Sequence, residues 1–205
     1  MLKSLVLLKN EKSLLPLSKD SRVFVAGKNA HNIGHQCGGF SINWQGFSGN
    51  ELTDRGTSIW GAISDVAPNA VLSGDACGAD ADPEKHDVAV VVIGETPYAE
   101  GQGDIRDGNH VIVEAGSQIN GGFNILKPYG SSLRLSALHP EDLRTIETIT
   151  AMDIPVVVLL VSGRPLVVEE ELFQAQAFVA AWLQGLEAHG VSDVLFGDFD
   201  FQGTL

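Results

Sequence analysis

Two stretches of this chain are apolar without interruption: residues 88–94 read VAVVVIG, and residues 154–161 read IPVVVLLV. Neither alternates polar with apolar, and both are rich in β-branched side chains. A strand of that kind needs cover on both faces, which it finds inside a parallel sheet flanked by helices. Shorter runs at 22–27 (RVFVAG), 70–72 and 177–182 (AFVAAW) fit further strands, and 5–9 fits one more, with 14–17 (LLPL) as its partner. Helical patterns fall between them. One has Thr57 as N-cap and carries Ile59, Ala62, Ile63 and Val66 on one face to about Ala67. Another has Pro140 in its first turn and runs to about Met152, and a third covers 190–196. This alternation predicts an α/β fold with a mostly parallel β-sheet and helices on both faces. In such a sheet, ligands belong beyond the C-terminal ends of the strands.

At 205 residues the chain fits one domain, or at most one and a half. Lys and Arg number 13 against 26 Asp and Glu, a formal charge of −13, which speaks against nucleic acid and against an anionic membrane surface. No apolar run approaches the roughly 18 residues of a membrane span. The N-terminal MLKSLVLLK has too short an apolar centre for a secretory signal, and no small-residue cleavage site follows it. Cys37 and Cys77 lack metal-binding spacing, so a buried thiol is the expectation for each. Gly101-Gln102-Gly103 lacks the third glycine of a dinucleotide loop, and no Walker A sequence occurs. His31 and His35 lie four apart, but their Asn and Gly neighbours predict a poor helix and hence no metal site. No cofactor is expected.

Two connections are long, 28–55 and 95–138, and each leaves the C-terminal end of a predicted strand. The second opens GETPYAEGQGD, with Glu95 and Glu100 just past a buried strand and Asp104 close behind. A carboxyl group so placed suits general acid–base chemistry; a solvated acidic loop is the alternative. Within the same connection, 110–113 and 123–126 fit a hairpin around Asn120-Gly121. The first connection holds CGGFSINWQG, in which Phe40 and Trp44 offer flat faces for stacking on sugar rings. Trp44 suits equally a role closing the edge of the core under its loop. The segment SGRP at 162–165 lacks the flanking glycines of a nucleophile elbow. It reads as a strand-to-helix turn with Arg164 available for a carboxylate or for backbone carbonyls.

The blocks LVLLKN (5–10), VAGKNAHNIGHQCGGFSINWQG (25–46), VVIGETPYAEGQGD (91–104), SGRPLVV (162–168), AFVAAWLQGLE (177–187) and VSDVLFGDFDFQGTL (191–205) occur in one order over nearly the whole chain. Together they resemble the second domain of family 3 glycoside hydrolases, in the β-glucosidase and exo-β-glucanase branch. The resemblance implies a three-layer α/β sandwich and a single domain over 1–205. In the family an N-terminal barrel, not contained in this chain, carries an Asp nucleophile, and the active site lies between the two domains. The second domain supplies the general acid/base. The pattern G-E-x-P-Y-x-E puts that role on Glu100, not Glu95. The pattern C-G-G-W-x-x-x-W-Q-G puts aglycone-side aromatics on Phe40 and Trp44, with Phe40 standing where Trp is usual. Residues 183–190 depart from the family's L-P-G-x-E-G-Q-G, and 109–132 reads as an insertion.

The implied activity is that of a retaining β-glycosidase acting on the non-reducing ends of β-glucans or β-glucosides. A β-xylosidase-type specificity is one alternative, and a non-catalytic carbohydrate-binding or domain-docking module is another. The expected partners are the β-glucan or β-glucoside substrate and the barrel domain. The resemblance also implies a periplasmic or extracellular setting, and a chain inactive without its barrel.

Overall fold

A computed structural model describes residues 2–52, 55–105 and 129–205 in full, and the backbone of 112–119 and 122–126. In chain order the strands are β1 (Val6–Asn10), β2 (Val23–Ala26), β3 (Val71–Leu72), β4 (Val88–Gly94), β5 (Ile112–Ile119), β6 (Gly122–Leu126), β7 (Val156–Val161) and β8 (Ala177–Ala180). The α-helices are α1 (Ile33–Cys37), α2 (Ile59–Val66), α3 (Leu135–Leu138), α4 (Pro140–Thr150), α5 (Glu169–Gln174) and α6 (His189–Leu195). Six strands form one sheet in the order β1-β8-β7-β4-β2-β3. The edge strand β1 runs antiparallel to β8, and the other pairs are parallel.

Every residue of β4 and β7 is buried. Their alternate side chains feed two cores. Val88, Val90, Val92, Val157 and Leu159 pack with Ile59 and Ile63 of α2 and Val191 and Leu195 of α6. Ala89, Val91, Ile93, Val156 and Val158 pack with Leu135 of α3 and Ile146 and Ile149 of α4. Each such Val, Leu or Ile stabilises the fold by roughly 1.5–3 kcal/mol through burial. The result is the three-layer α/β sandwich, with helices on both faces.

Several sequence expectations need correction. Residues 14–17 do not pair with β1, whose partner is β8. Pro16 cannot donate to a ladder, and Leu15 and Leu17 instead enter the core beside α6, where the Leu17 N–H reaches the Leu195 carbonyl. The N-cap of α2 is Ser58 rather than Thr57. The Thr57 N–H is taken by the Leu186 carbonyl, and the next residue turns its hydroxyl to the Gly61 N–H at 3.0 Å. A short helix, α1, forms where Asn and Gly argued against one, because the Asn32 side chain caps it by accepting the His35 N–H at 3.0 Å. Cys77 is exposed and Cys37 partly so; neither is the buried thiol expected. The expected hairpin is present as β5 and β6, with Ile112 opposite Leu126 and Val113 opposite Ile125. Its turn, Asn120-Gly121, and His110 lie outside the described residues.

The chain order across the sheet positions the site. From β2 the chain crosses to β3 by way of α2, on one face. From β4 it crosses to β7 by way of α4, on the other. The strands β2 and β4 are neighbours, so their C-terminal loops diverge and leave a crevice between them.

Candidate active site

The two loops at this crevice approach through glycine. A Cβ at Gly39 would lie 2.0 Å from the Tyr98 carbonyl oxygen, so no larger residue fits there. Gly94 ends β4 with φ +140°, and a Cβ on it would meet the Val161 carbonyl at 1.8 Å. The chain therefore passes tightly over the end of β7 before the acidic loop begins.

Glu95 turns down into that junction and is 4% exposed. Its Oε1 accepts from Nε and Nη2 of Arg164 at 2.8 and 2.6 Å. Its Oε2 accepts from the Ser162 hydroxyl at 2.7 Å and the Tyr98 hydroxyl at 2.9 Å. These four bonds occupy the roughly four acceptor sites of a carboxylate. The guanidinium lies over the Tyr98 ring, 4.3 Å from its centroid, and 5.3 Å from that of Tyr129. Burial, then the Glu95 charge, pushes the Tyr98 hydroxyl above the ordinary phenol range, so it stays a donor.

A second network braces the same loop from below. The Tyr129 hydroxyl accepts the Thr96 N–H at 2.8 Å and meets His139 Nε2 at 2.6 Å. His139 Nδ1 lies 3.1 Å from Glu141 Oε1, and Lys28 Nζ donates to both Glu141 (2.9 Å) and Asp142 (2.8 Å). Asp142 also accepts the Gly94 N–H at 3.0 Å, which closes the circuit on the end of β4. Burial pushes Asp142 up to about 6, with the Lys28 ammonium and the Gly94 N–H pulling against it. Desolvation acts on Glu141 in the same direction, but hydrogen bonding and charge from Lys28 hold it at about 2. Burial pushes the Tyr129 hydroxyl up to about 12.

Glu100 stands in contrast. It is exposed at the far end of the same loop, and its Oε2 accepts the Trp44 indole N–H at 2.7 Å. Gln45 ties the two loops again: its amide oxygen takes the Ala99 N–H at 2.7 Å and its amide nitrogen reaches the Glu100 carbonyl at 3.3 Å. Trp44 is 37% exposed and Phe40 70% exposed, so Trp44 lies at the surface and does not seal the core. Phe40 and Ile42 have φ of +59° and +62°. That left-handed backbone is costly for such residues, and it throws both side chains outward. A cleft of about 190 Å³ opens beside them, lined by Phe40, Thr96, Pro97, Tyr98, Glu95 and His35 among others. Glu100 and Trp44 stand outside its lining.

The sequence pointed to Glu100, Trp44 and Phe40, and the fold brings the first two into contact across 56 residues of chain. Arg164 binds a carboxylate and a backbone carbonyl, as its turn allowed. Sequence reasoning missed the burial of Glu95 and the Tyr129–His139–Glu141–Lys28–Asp142 circuit. The only signal for the former was Arg164 itself. His31 and His35 do not converge: His31 Nδ1 meets Ser58 at 2.7 Å, and His35 Nε2 meets Ser48 at 3.0 Å. Burial lowers His35 to about 4, with help from the Lys28 charge, so its ring is neutral near pH 7. No group of three His, Cys, Asp or Glu residues able to hold a metal occurs among the described residues.

Comparison with known proteins places the fold in a family. The family described as the glycosyl hydrolase family 3 C-terminal domain matches residues 5–205. The chain belongs to that family. A point variant of the exo-1,3/1,4-β-glucanase of a Pseudoalteromonas species superposes on 98% of this chain and 30% of its own, at 38% identity and TM-score 0.80. The lysosomal β-glucosidase of Dictyostelium discoideum is 25% identical over 98% of this chain and 24% of its own length. A β-xylosidase of Formosa agariphila is 27% identical over 99% of this chain and 26% of its own. The chain thus spans about a quarter of the length of the curated relatives it matches. Within the family, the domain here is the C-terminal α/β sandwich.

Proposed function

We propose that this domain supplies the general acid/base of a retaining β-glycosidase that removes terminal β-glucosyl residues from β-glucans or β-glucosides. One observation carries the reading. Glu100 stands exposed at the sheet's C-terminal crevice with, among the described residues, a single aromatic N–H on its carboxylate, while the neighbouring acid is buried and saturated. Retention needs two carboxyl groups about 5–5.5 Å apart. The second belongs to a barrel domain in the longer protein. Its carboxylate attacks the anomeric carbon as Glu100 gives a proton to the departing oxygen. Glu100 then takes a proton from the water that releases the sugar. Trp44 and Phe40 line the side on which the leaving group departs.

A β-xylosidase among the relatives favours a second reading in which the terminal sugar is a pentose, with the residues that select the sugar lying mainly on the barrel. The test is hydrolysis of an aryl β-glucoside by the 205-residue chain alone and by the same domain joined to its barrel. Turnover is expected only from the joined protein. Turnover by the pure chain would overturn the division of carboxylates between two domains.

A further inference from the structure

We infer that Arg164 is the positioning residue for Glu100, fixing the acidic loop at both ends from the rigid end of β7. This rests on the reading of Glu100 as acid/base. Arg164 follows β7 by three residues, and the Ser162 hydroxyl oxygen accepts its backbone N–H at 3.2 Å. From there Nε and Nη2 hold Glu95, five residues before Glu100. The remaining nitrogen, Nη1, donates to the carbonyl of Gly103, three residues after it. The Tyr98 ring, midway along the loop, lies against the guanidinium face and returns its hydroxyl to Glu95. One planar group therefore ties the start, middle and end of the loop together.

Among the described residues Glu100 has few contacts of its own. Its side chain meets Trp44 and its carbonyl meets Gln45, both on the other loop. The carboxyl position is thus set mainly by the course of residues 95–104. Proton donation depends on placement to within about 0.5 Å. A lysine would retain the charge but, as a point donor, cannot span Glu95 and Gly103 at once.

The experiment uses the domain joined to its barrel and reads kcat/KM across aryl β-glucosides of graded leaving-group acidity. Arg164→Lys is expected to lower kcat/KM by about 100-fold for poor leaving groups such as 4-methoxyphenol, and by less than about tenfold for 2,4-dinitrophenol. That steepening is the signature of failed proton delivery; simple loss of structure lowers all substrates alike. Glu100→Gln runs in parallel. A steep dependence in Glu100→Gln with a uniform loss, or none, in Arg164→Lys overturns this inference and leaves the acid/base reading standing. A flat dependence in Glu100→Gln overturns that reading itself. Circular dichroism and thermal melting check each variant, and should Arg164→Lys not fold, the near-isosteric Glu95→Gln loosens the same tie and carries the same two outcomes.

Discussion

Glu95 and Glu100 lie five residues apart on one loop and live in opposite surroundings. Glu95 is buried with four donors on its two oxygens; Glu100 is exposed with an indole N–H on one. A buried carboxylate is tolerated only when its lost hydration is replaced by donors. Glu95 has that replacement in full, and it leaves no oxygen open to a ligand. Among the described residues, Glu100 has an oxygen to spare at the mouth of the crevice. The two acids differ in depth: Glu95 ties the loop to Arg164 below it, and Glu100 stands at the surface.

The comparison can be broken first at its functional end. In the joined protein, Glu100→Gln is expected to lower kcat/KM on natural oligosaccharides by about 10²–10⁴-fold. Undiminished steady-state rates would remove Glu100 from the role. Its stability, read from urea unfolding of the 205-residue chain, should stay within about 0.5 kcal/mol of wild type. The structural end behaves in reverse. Glu95→Ala leaves Arg164 largely buried without its partner and should cost about 3–5 kcal/mol in the same unfolding measurement. Equal stability losses at the two positions would erase the distinction drawn between them.

The circuit beneath the loop gives a pH-dependent effect of intermediate size. Asp142 holds its proton more tightly in the fold, near pH 6, than in the unfolded chain, near pH 4. Its contribution is therefore fully present below about pH 4 and is lost as pH rises through 6. Wild type should lose stability relative to Asp142→Asn over that window, on the order of 1–3 kcal/mol. Urea midpoints of the two chains at pH 4, 5, 6 and 7 check this, and a constant gap would contradict it. The smallest effect belongs to the aromatics. Phe40→Ala is expected to raise KM for a disaccharide substrate by about 2–10-fold, with kcat little changed, as loss of one stacking face predicts. An unchanged KM would place the departing sugar elsewhere.

The sheet was legible because burial on both faces leaves a strand with no polar side to display. The runs that became β4 and β7 could be read without any partner. The site was legible only in part. Trp44 and Glu100 were visible as residue types in two long loops, yet their contact spans 56 residues. The partner of Glu95 lies 69 residues away, on a different strand's end, so local pattern could not say which of two acids would be buried. The helix α1 was missed for a related reason: the Asn residues that lower helix propensity within a segment are the ones that cap it at its start.

The most direct test of the central claim is chemical rescue of Glu100→Ala in the joined protein. With 2,4-dinitrophenyl β-glucoside, the leaving group needs no proton, so the sugar is transferred to the barrel carboxylate and waits there for a base-activated water. Azide needs no base and fits the space vacated by the carboxyl. It attacks the anomeric carbon, expels the barrel carboxylate and leaves as the glucosyl azide. The account predicts faster turnover with added azide, an azide product of β configuration, and no acceleration of the wild type. No rescue, or an azide of α configuration, would contradict it.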